Sequence, residues 1–209
     1  MKLYHSPLSS NARRVVMTAL ELGRDDVELV PVDLAQGAQR QPEFLRLNPN
    51  GKVPVLVDDD FVLWESNAIV QYLADKTPNQ TLYPTELRAR ADVNRWLAWC
   101  AAQLSPAVAT LNWEHFIKPM MGLGAPEPAL VQQGEAGVKA SVAVLDAHLK
   151  ERSYLVGDAL TLADLSLAPV FMYEKLAQLP LGEAKHLRAW LARIEARDSW
   201  KKTAIQLPG

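Results

Sequence analysis

The chain has 209 residues, of which 49% are hydrophobic and 22% charged, a balance that excludes intrinsic disorder and membrane-embedded bundles. Its formal net charge of −2 and pI near 6.1 supply no basic field, so nucleic acid and membrane are not expected partners and small molecules are. A single cysteine, Cys100, excludes an intrachain disulfide and a multi-cysteine metal site, and the absence of a long apolar leader points to a cytoplasmic protein.

Lys2 to His5 and Val27 to Leu34 read as strands, and between them Val15, Val16, Ala19, Leu20 and Leu22 recur at helical spacing. Gly23 is placed to end that helix. This is a β-α-β unit with a parallel strand pair. A short helix is expected from Pro42 to Leu47. Val53 to Val57 and Phe61 to Trp64 then flank the acidic turn Asp58 to Asp60, which predicts a hairpin. Ala68, Ile69, Tyr72 and Leu73 share one face of the helix that follows.

The pattern changes after residues 78–85, a linker rich in Pro and Thr. No further strand is expected. Helices are predicted over Glu86–Ala109, Pro128–Lys150, Leu162–Leu179 and Glu183–Arg197. Cys100 falls inside the first of these as a small core residue. Thr161 and Asp164 have the spacing of a capping box, with Leu160 and Leu165 as its hydrophobic staple. The fold class is therefore α/β followed by all-α, with residues 1–77 and 86–209 as the two domains.

Three local features carry possible chemistry. Ser9 and Ser10 lie where a strand hands the chain to a helix N-terminus, a place with free N–H groups and partial positive charge; a hydroxyl here serves equally as a cap or as a ligand contact. In N-P-N-G-K-V-P-V-L, Pro54 removes a ladder donor and leaves the backbone of Val53 to pair with something extended, or else Pro54 only starts a strand. In W-E-S-N-A, Ser66 and the N–H groups after it can hold a carboxylate while Glu65 accepts from an ammonium, a pairing suited to an α-amino acid head group.

S-x-x-x-R-R-V, G-K-V-P-V-L, E-S-N-A-I and the late G-D-x-L-T-L-A-D, in this order, resemble the cytosolic glutathione transferases, specifically bacterial serine-type (theta-like and phi-like) members. The resemblance covers essentially the whole chain. It implies a thioredoxin-like N-terminal domain of β-α-β-α-β-β-α order and an all-helical C-terminal domain. It assigns Ser9 to the glutathione thiol, leaving Ser10 or Asn11 to start the helix. It assigns the Val53 backbone to the cysteinyl part, Pro54 to a cis proline, and Glu65 with Ser66 to the γ-glutamyl end. Gln39, Arg40 and Lys52 would face the glycyl carboxylate, although Gln39 stands where phi-like members carry a histidine. Ser10 stands where beta-like members carry a cysteine, which removes mixed-disulfide chemistry at that position.

The implied activity is attack by glutathione thiolate on small hydrophobic electrophiles, with glutathione as cosubstrate and no metal. Leu8, Trp113, Phe116, Met120 and Met121 are candidates for an electrophile pocket expected between the domains, or else for helix packing. A homodimer is implied. A glutathione-dependent isomerase or dehalogenase, and a non-catalytic glutathione-binding protein, are the rival readings.

Overall fold

The structure, a computed structural model, describes residues 1–205. It divides into two compact units, residues 1–84 with 195–205, and residues 85–194.

The first unit is built on four strands, β1 (Lys2–His5), β2 (Glu28–Pro31), β3 (Val55–Asp58) and β4 (Phe61–Trp64), ordered β2-β1-β3-β4. β2 is parallel to β1, and β3 and β4 are antiparallel to their neighbours. The register pairs Leu3 with Leu56 and Tyr4 with Val55. Since side chains alternate between faces, Leu3 and Leu56 are fully buried on one side. On the other, Tyr4 and Val55 join Val32, Val53 and Phe44 in one apolar cluster. Helix α1 (Ser10–Glu21) buries the run Ala12–Ala19, and α3 (Ser66–Asp75) packs against it. The short α2 (Pro42–Leu47) supplies Phe44. Asp58 at the end of β3 accepts from the Tyr72 hydroxyl at 2.6 Å and from Lys76. These contacts fix the far end of α3, and the two donors, Lys76 foremost, hold the Asp58 carboxyl below its usual range. The β2 strand is shorter than the expected Val27–Leu34.

The second unit is helical. From Leu87 to Met120 the chain stays helical through α4 (Leu87–Trp99), α5 (Ser105–Leu111) and α6 (Lys118–Met120), joined by π-helical segments Cys100–Leu104 and Asn112–Ile117. Each widened segment contains the residue four before a proline, Pro106 or Pro119, whose ring would collide with the carbonyl at that position in a regular α-helix. The helix thus runs past the expected end at Ala109. After α7 (Pro128–His148) comes α8 (Leu162–Leu167), which passes into a tight 3₁₀ turn at Ala168–Phe171, a turn that includes Pro169. The single helix expected to Leu179 is broken there. Helix α9 (Lys185–Glu195) completes the unit.

The Thr161–Asp164 capping box forms. The Asp164 carboxylate also accepts from Leu155 N–H at 2.9 Å and Trp190 Nε1–H at 2.8 Å. Burial pushes the Asp164 pKa up against the pull of these donors. Leu160 and Leu165 are both buried, as a staple requires.

A five-residue helix the periodicity does not reveal, α10 (Asp198–Lys202), packs on α1. Arg13 of α1 lies over the Trp200 ring at 3.8 Å and donates to Trp200 C=O and Thr203 Oγ1. Glu21 accepts from Arg197 and from Ser199. These contacts hold the stretch from Glu195 in the first unit, whereas the sequence reading grouped it with residues 86–209.

Candidate functional site

The sheet register brings three sequence clues to one edge. Because Tyr4 pairs with Val55 and Val55 with Trp64, the C-terminal end of β1, the start of β3 and the end of β4 lie side by side. Ser9 leaves this edge from β1, Val53-Pro54 enters it, and Glu65-Ser66 follow from β4.

Ser9 is the residue before the first turn of α1, in extended conformation, and its Oγ accepts from Ala12 N–H at 3.2 Å. Ser10 is the first helical residue, within the expected start at Ser10 or Asn11, but the side-chain cap is made by Ser9. Capping uses an oxygen lone pair and leaves the hydroxyl proton to be donated, so a cap and a ligand contact are compatible on one serine.

Val53-Pro54 is cis. Val53 is 8% exposed, and among the described residues neither its N–H nor its C=O enters a hydrogen bond. A buried backbone unit normally finds a partner. Its N–H and C=O are therefore available to an extended partner.

Glu65, before α3, has φ 74 and ψ 108, and its side chain makes no cap bond. A non-glycine residue held there stores strain of about 1–3 kcal/mol, a condition that clusters at binding sites. Ser66 is buried at the first helical position. Its Oγ receives a hydrogen bond from Arg14 Nη1 at 3.4 Å, and Asn67 Oδ1 receives one from the same nitrogen at 3.0 Å. Arg14 is 2% exposed. Sequence reasoning missed it; a double arginine in front of the apolar Val15-Val16 was the available signal.

Gln39 lies on a 3₁₀ turn, Ala38–Arg40. Gly51, at φ 59, comes so close that a Cβ there would stand 3.1 Å from Gln39 C=O, so the Gln39 turn and the Gly51-Lys52 loop are neighbours. Asn48 Nδ2 donates to Lys52 C=O at 2.7 Å and fixes that loop. Gln39 Oε1 is buried without a partner among the described residues, whereas Arg40 and Lys52 are exposed.

Of the electrophile candidates, Leu8 is exposed in the first unit. In the helical unit Trp113, Met120 and Met121 are exposed, and Phe116 is half-buried with its ring 5.0 Å from that of Tyr173. Between Trp113 and Phe116, the buried Glu114 accepts from Lys118 and from Glu127 N–H at 2.7 Å. These partners, the Glu127 N–H first, draw its pKa down. Cys100 is fully buried and 3.4 Å from Ser105 Oγ.

A cleft of about 170 Å³, with His5, Arg13, Leu29 and Lys202 in its walls, lies beside α10 and contains none of the glutathione candidates. Burial pushes the His5 pKa down. Among the described residues no group of three or more His, Cys, Asp or Glu side chains is arranged to hold a metal, and no helix is long and apolar enough to cross a membrane.

A four-stranded mixed sheet with a cis proline entering its third strand, followed by a helical unit, defines a thioredoxin-like domain joined to an all-α domain. Comparison with known proteins identifies the family. Residues 1–75 match the Glutathione S-transferase, N-terminal domain, and residues 104–198 match the Glutathione S-transferase, C-terminal domain. Glutathione S-transferase 3 of Zea mays is 38% identical across 100% of this chain and 95% of its own length. Glutathione transferase F7 of Populus trichocarpa superposes with a TM-score of 0.88 at 33% identity, covering 97% of each chain. The theta class enzyme of Xanthomonas axonopodis pv. citri, solved with glutathione bound, also gives 0.88, at 29% identity over 99% of this chain and 97% of its own. The chain belongs to the glutathione S-transferase family of enzymes, for which glutathione is the cosubstrate. The curated relatives at 38% and 36% identity are plant proteins, and the expectation of a specifically bacterial member is not supported.

Proposed function

We propose that this protein is a serine-type, theta-like or phi-like glutathione S-transferase in which Ser9 activates the thiol of glutathione for attack on small hydrophobic electrophiles. The observation that carries the reading is the Ser9 hydroxyl: it accepts from Ala12 N–H at the start of α1 and retains its proton for a sulfur. A free thiol titrates near about 8.5, so little thiolate exists at neutral pH. Donation from Ser9 O–H, together with the partial positive charge of the α1 N-terminus, favours thiolate over thiol. The thiolate then forms the new carbon–sulfur bond as the electrophile's leaving group departs, and the thiol proton passes to solvent.

The remaining residues orient glutathione. The unpaired N–H and C=O of Val53, just before Pro54, take the cysteinyl backbone. Glu65 receives the γ-glutamyl ammonium and Ser66 its carboxylate, while Gln39, Arg40 and Lys52 serve the glycyl end. Residues 1–77 thereby form the glutathione-binding domain. Trp113, Phe116 and Met120 of the helical domain serve electrophile binding, with Leu8 as a further candidate. The reading includes a cytoplasmic homodimer, which sedimentation returning only a 23.2 kDa species would refute.

The test is an ultraviolet thiolate titration of glutathione bound to the wild type and to Ser9→Ala. The wild type is expected to lower the thiol pKa by about two units, equivalent to about 2.7 kcal/mol, and Ser9→Ala to restore most of it and slow turnover. Equal pKa values and turnover in both proteins would remove Ser9 from the mechanism.

A further inference from the structure

The first turn of α3 is met by a charge from α1, Arg14, that the proposed glutathione contacts do not use. The Arg14 guanidinium is 2% exposed. Its Nη1 reaches Ser66 Oγ and Asn67 Oδ1, both neutral acceptors. Its Nε and Nη2 are buried with no partner among the described residues, and no carboxylate there forms an ion pair with it. A buried cation without a counter-charge is costly. Its position sharpens the problem, because the N-terminus of the ten-residue α3 already carries partial positive charge. An architectural arginine between two helices is ordinarily served by a carboxylate on one of them; this one faces serine and asparagine.

The direction of its hydrogen bond matters as well. Guanidinium only donates, so Ser66 Oγ is an acceptor toward Arg14 and must send its own proton elsewhere. Arg14 therefore fixes Ser66 as a donor and adds a desolvated positive charge behind it. Both effects favour one class of ligand at this helix start, a carboxylate.

We infer that Arg14 is a positioning residue that makes the start of α3 selective for the α-carboxylate of γ-glutamyl thiols, acting through Ser66 and Asn67. This rests on the proposed glutathione site and adds a donor specificity to it. A thiol lacking the γ-glutamyl group, such as cysteinylglycine, gains nothing from Arg14. Glutathione does.

The experiment compares glutathione with cysteinylglycine as thiol donors to a dinitrophenyl halide, in the wild type, Arg14→Met and Arg14→Lys, with the thermal transition of each protein recorded. Arg14→Met is expected to raise KM for glutathione on the order of tenfold or more, the scale of a hydrogen bond to a charged group. KM for the halide and kcat/KM for cysteinylglycine should stay within about twofold. Arg14→Lys, which keeps the charge but not the fork, should recover part of the glutathione KM; it also supplies the comparison if the methionine variant does not fold. A folded variant that loses both donors equally, or that keeps the wild-type KM for glutathione, overturns the inference. A wild type that neither binds nor conjugates glutathione would instead overturn the function proposed above.

Discussion

Glu65 is the residue at which local preference and position most clearly conflict. Its φ of 74 with ψ 108 belongs to a region that side chains with a Cβ avoid. Glu65→Gly removes strain of about 1–3 kcal/mol and adds up to about 1 kcal/mol of backbone entropy to the unfolded chain. Urea unfolding is therefore expected to show a variant more stable by about 1 kcal/mol, and calorimetry a weaker affinity for glutathione. A glycine variant less stable than the wild type would show that the conformation stores no strain. Ser9 presents a related case. Besides its proposed effect on the thiol, Ser9→Ala removes the α1 cap and should lower stability by about 1 kcal/mol, so kinetic and stability losses at this residue have separate causes.

Among the elements, α5 and α7 approach closely because α7 offers glycine. A Cβ on Gly137 would stand 2.8 Å from the Cβ of Ala107, an atom fixed to its own backbone. Helix propensity alone favours alanine over glycine by about 1 kcal/mol. Overpacking opposes it by about 1–3 kcal/mol, and since the Ala107 atom cannot rotate away, the upper part of that range applies. Gly137→Ala should lower the urea midpoint at unchanged slope; a raised midpoint would show that α5 and α7 separate freely. The same scale explains which element limits were legible. The Thr161–Asp164 box announces α8 from four residues, because capping is local. The helical run from Leu87 to Met120 outlasts its expected end because π-helical segments absorb Pro106 and Pro119, an accommodation that a proline in the sequence argues against.

For the whole molecule, the C-terminal segment returns to α1 through ions whose state depends on pH. Burial by itself raises the Glu21 pKa, but Arg197 and the Ser199 hydroxyl bring it below its ordinary 4.5. The folded form thus holds this carboxylate more tightly deprotonated than the unfolded chain does. Its contribution to stability is complete above 4.5 and is lost as pH falls through the lowered folded value. Hydrogen exchange should show α10 losing protection selectively in that acidic window, with the dependence flattened in Glu21→Gln. Protection of α10 that follows the same pH course in both proteins would assign its docking to Arg13 and Trp200 alone.

Order and type of the elements through α3, the hairpin at Asp58–Asp60, the α8 box, and the Ser9, Val53-Pro54 and Glu65-Ser66 clues were all readable from the chain, because periodicity, capping and proline chemistry act over a few residues. The register that lines up those clues on one sheet edge was not. Nor were the choice of Ser9 over Ser10 as the cap, the reversed φ of Glu65, the burial of Arg14 or the docking of α10. Arg14 meets Asn67 across 53 positions and Arg197 meets Glu21 across 176, and no local pattern encodes such pairings. They arise when helices bury their faces against a common sheet, where desolvation decides which charge stays without a partner.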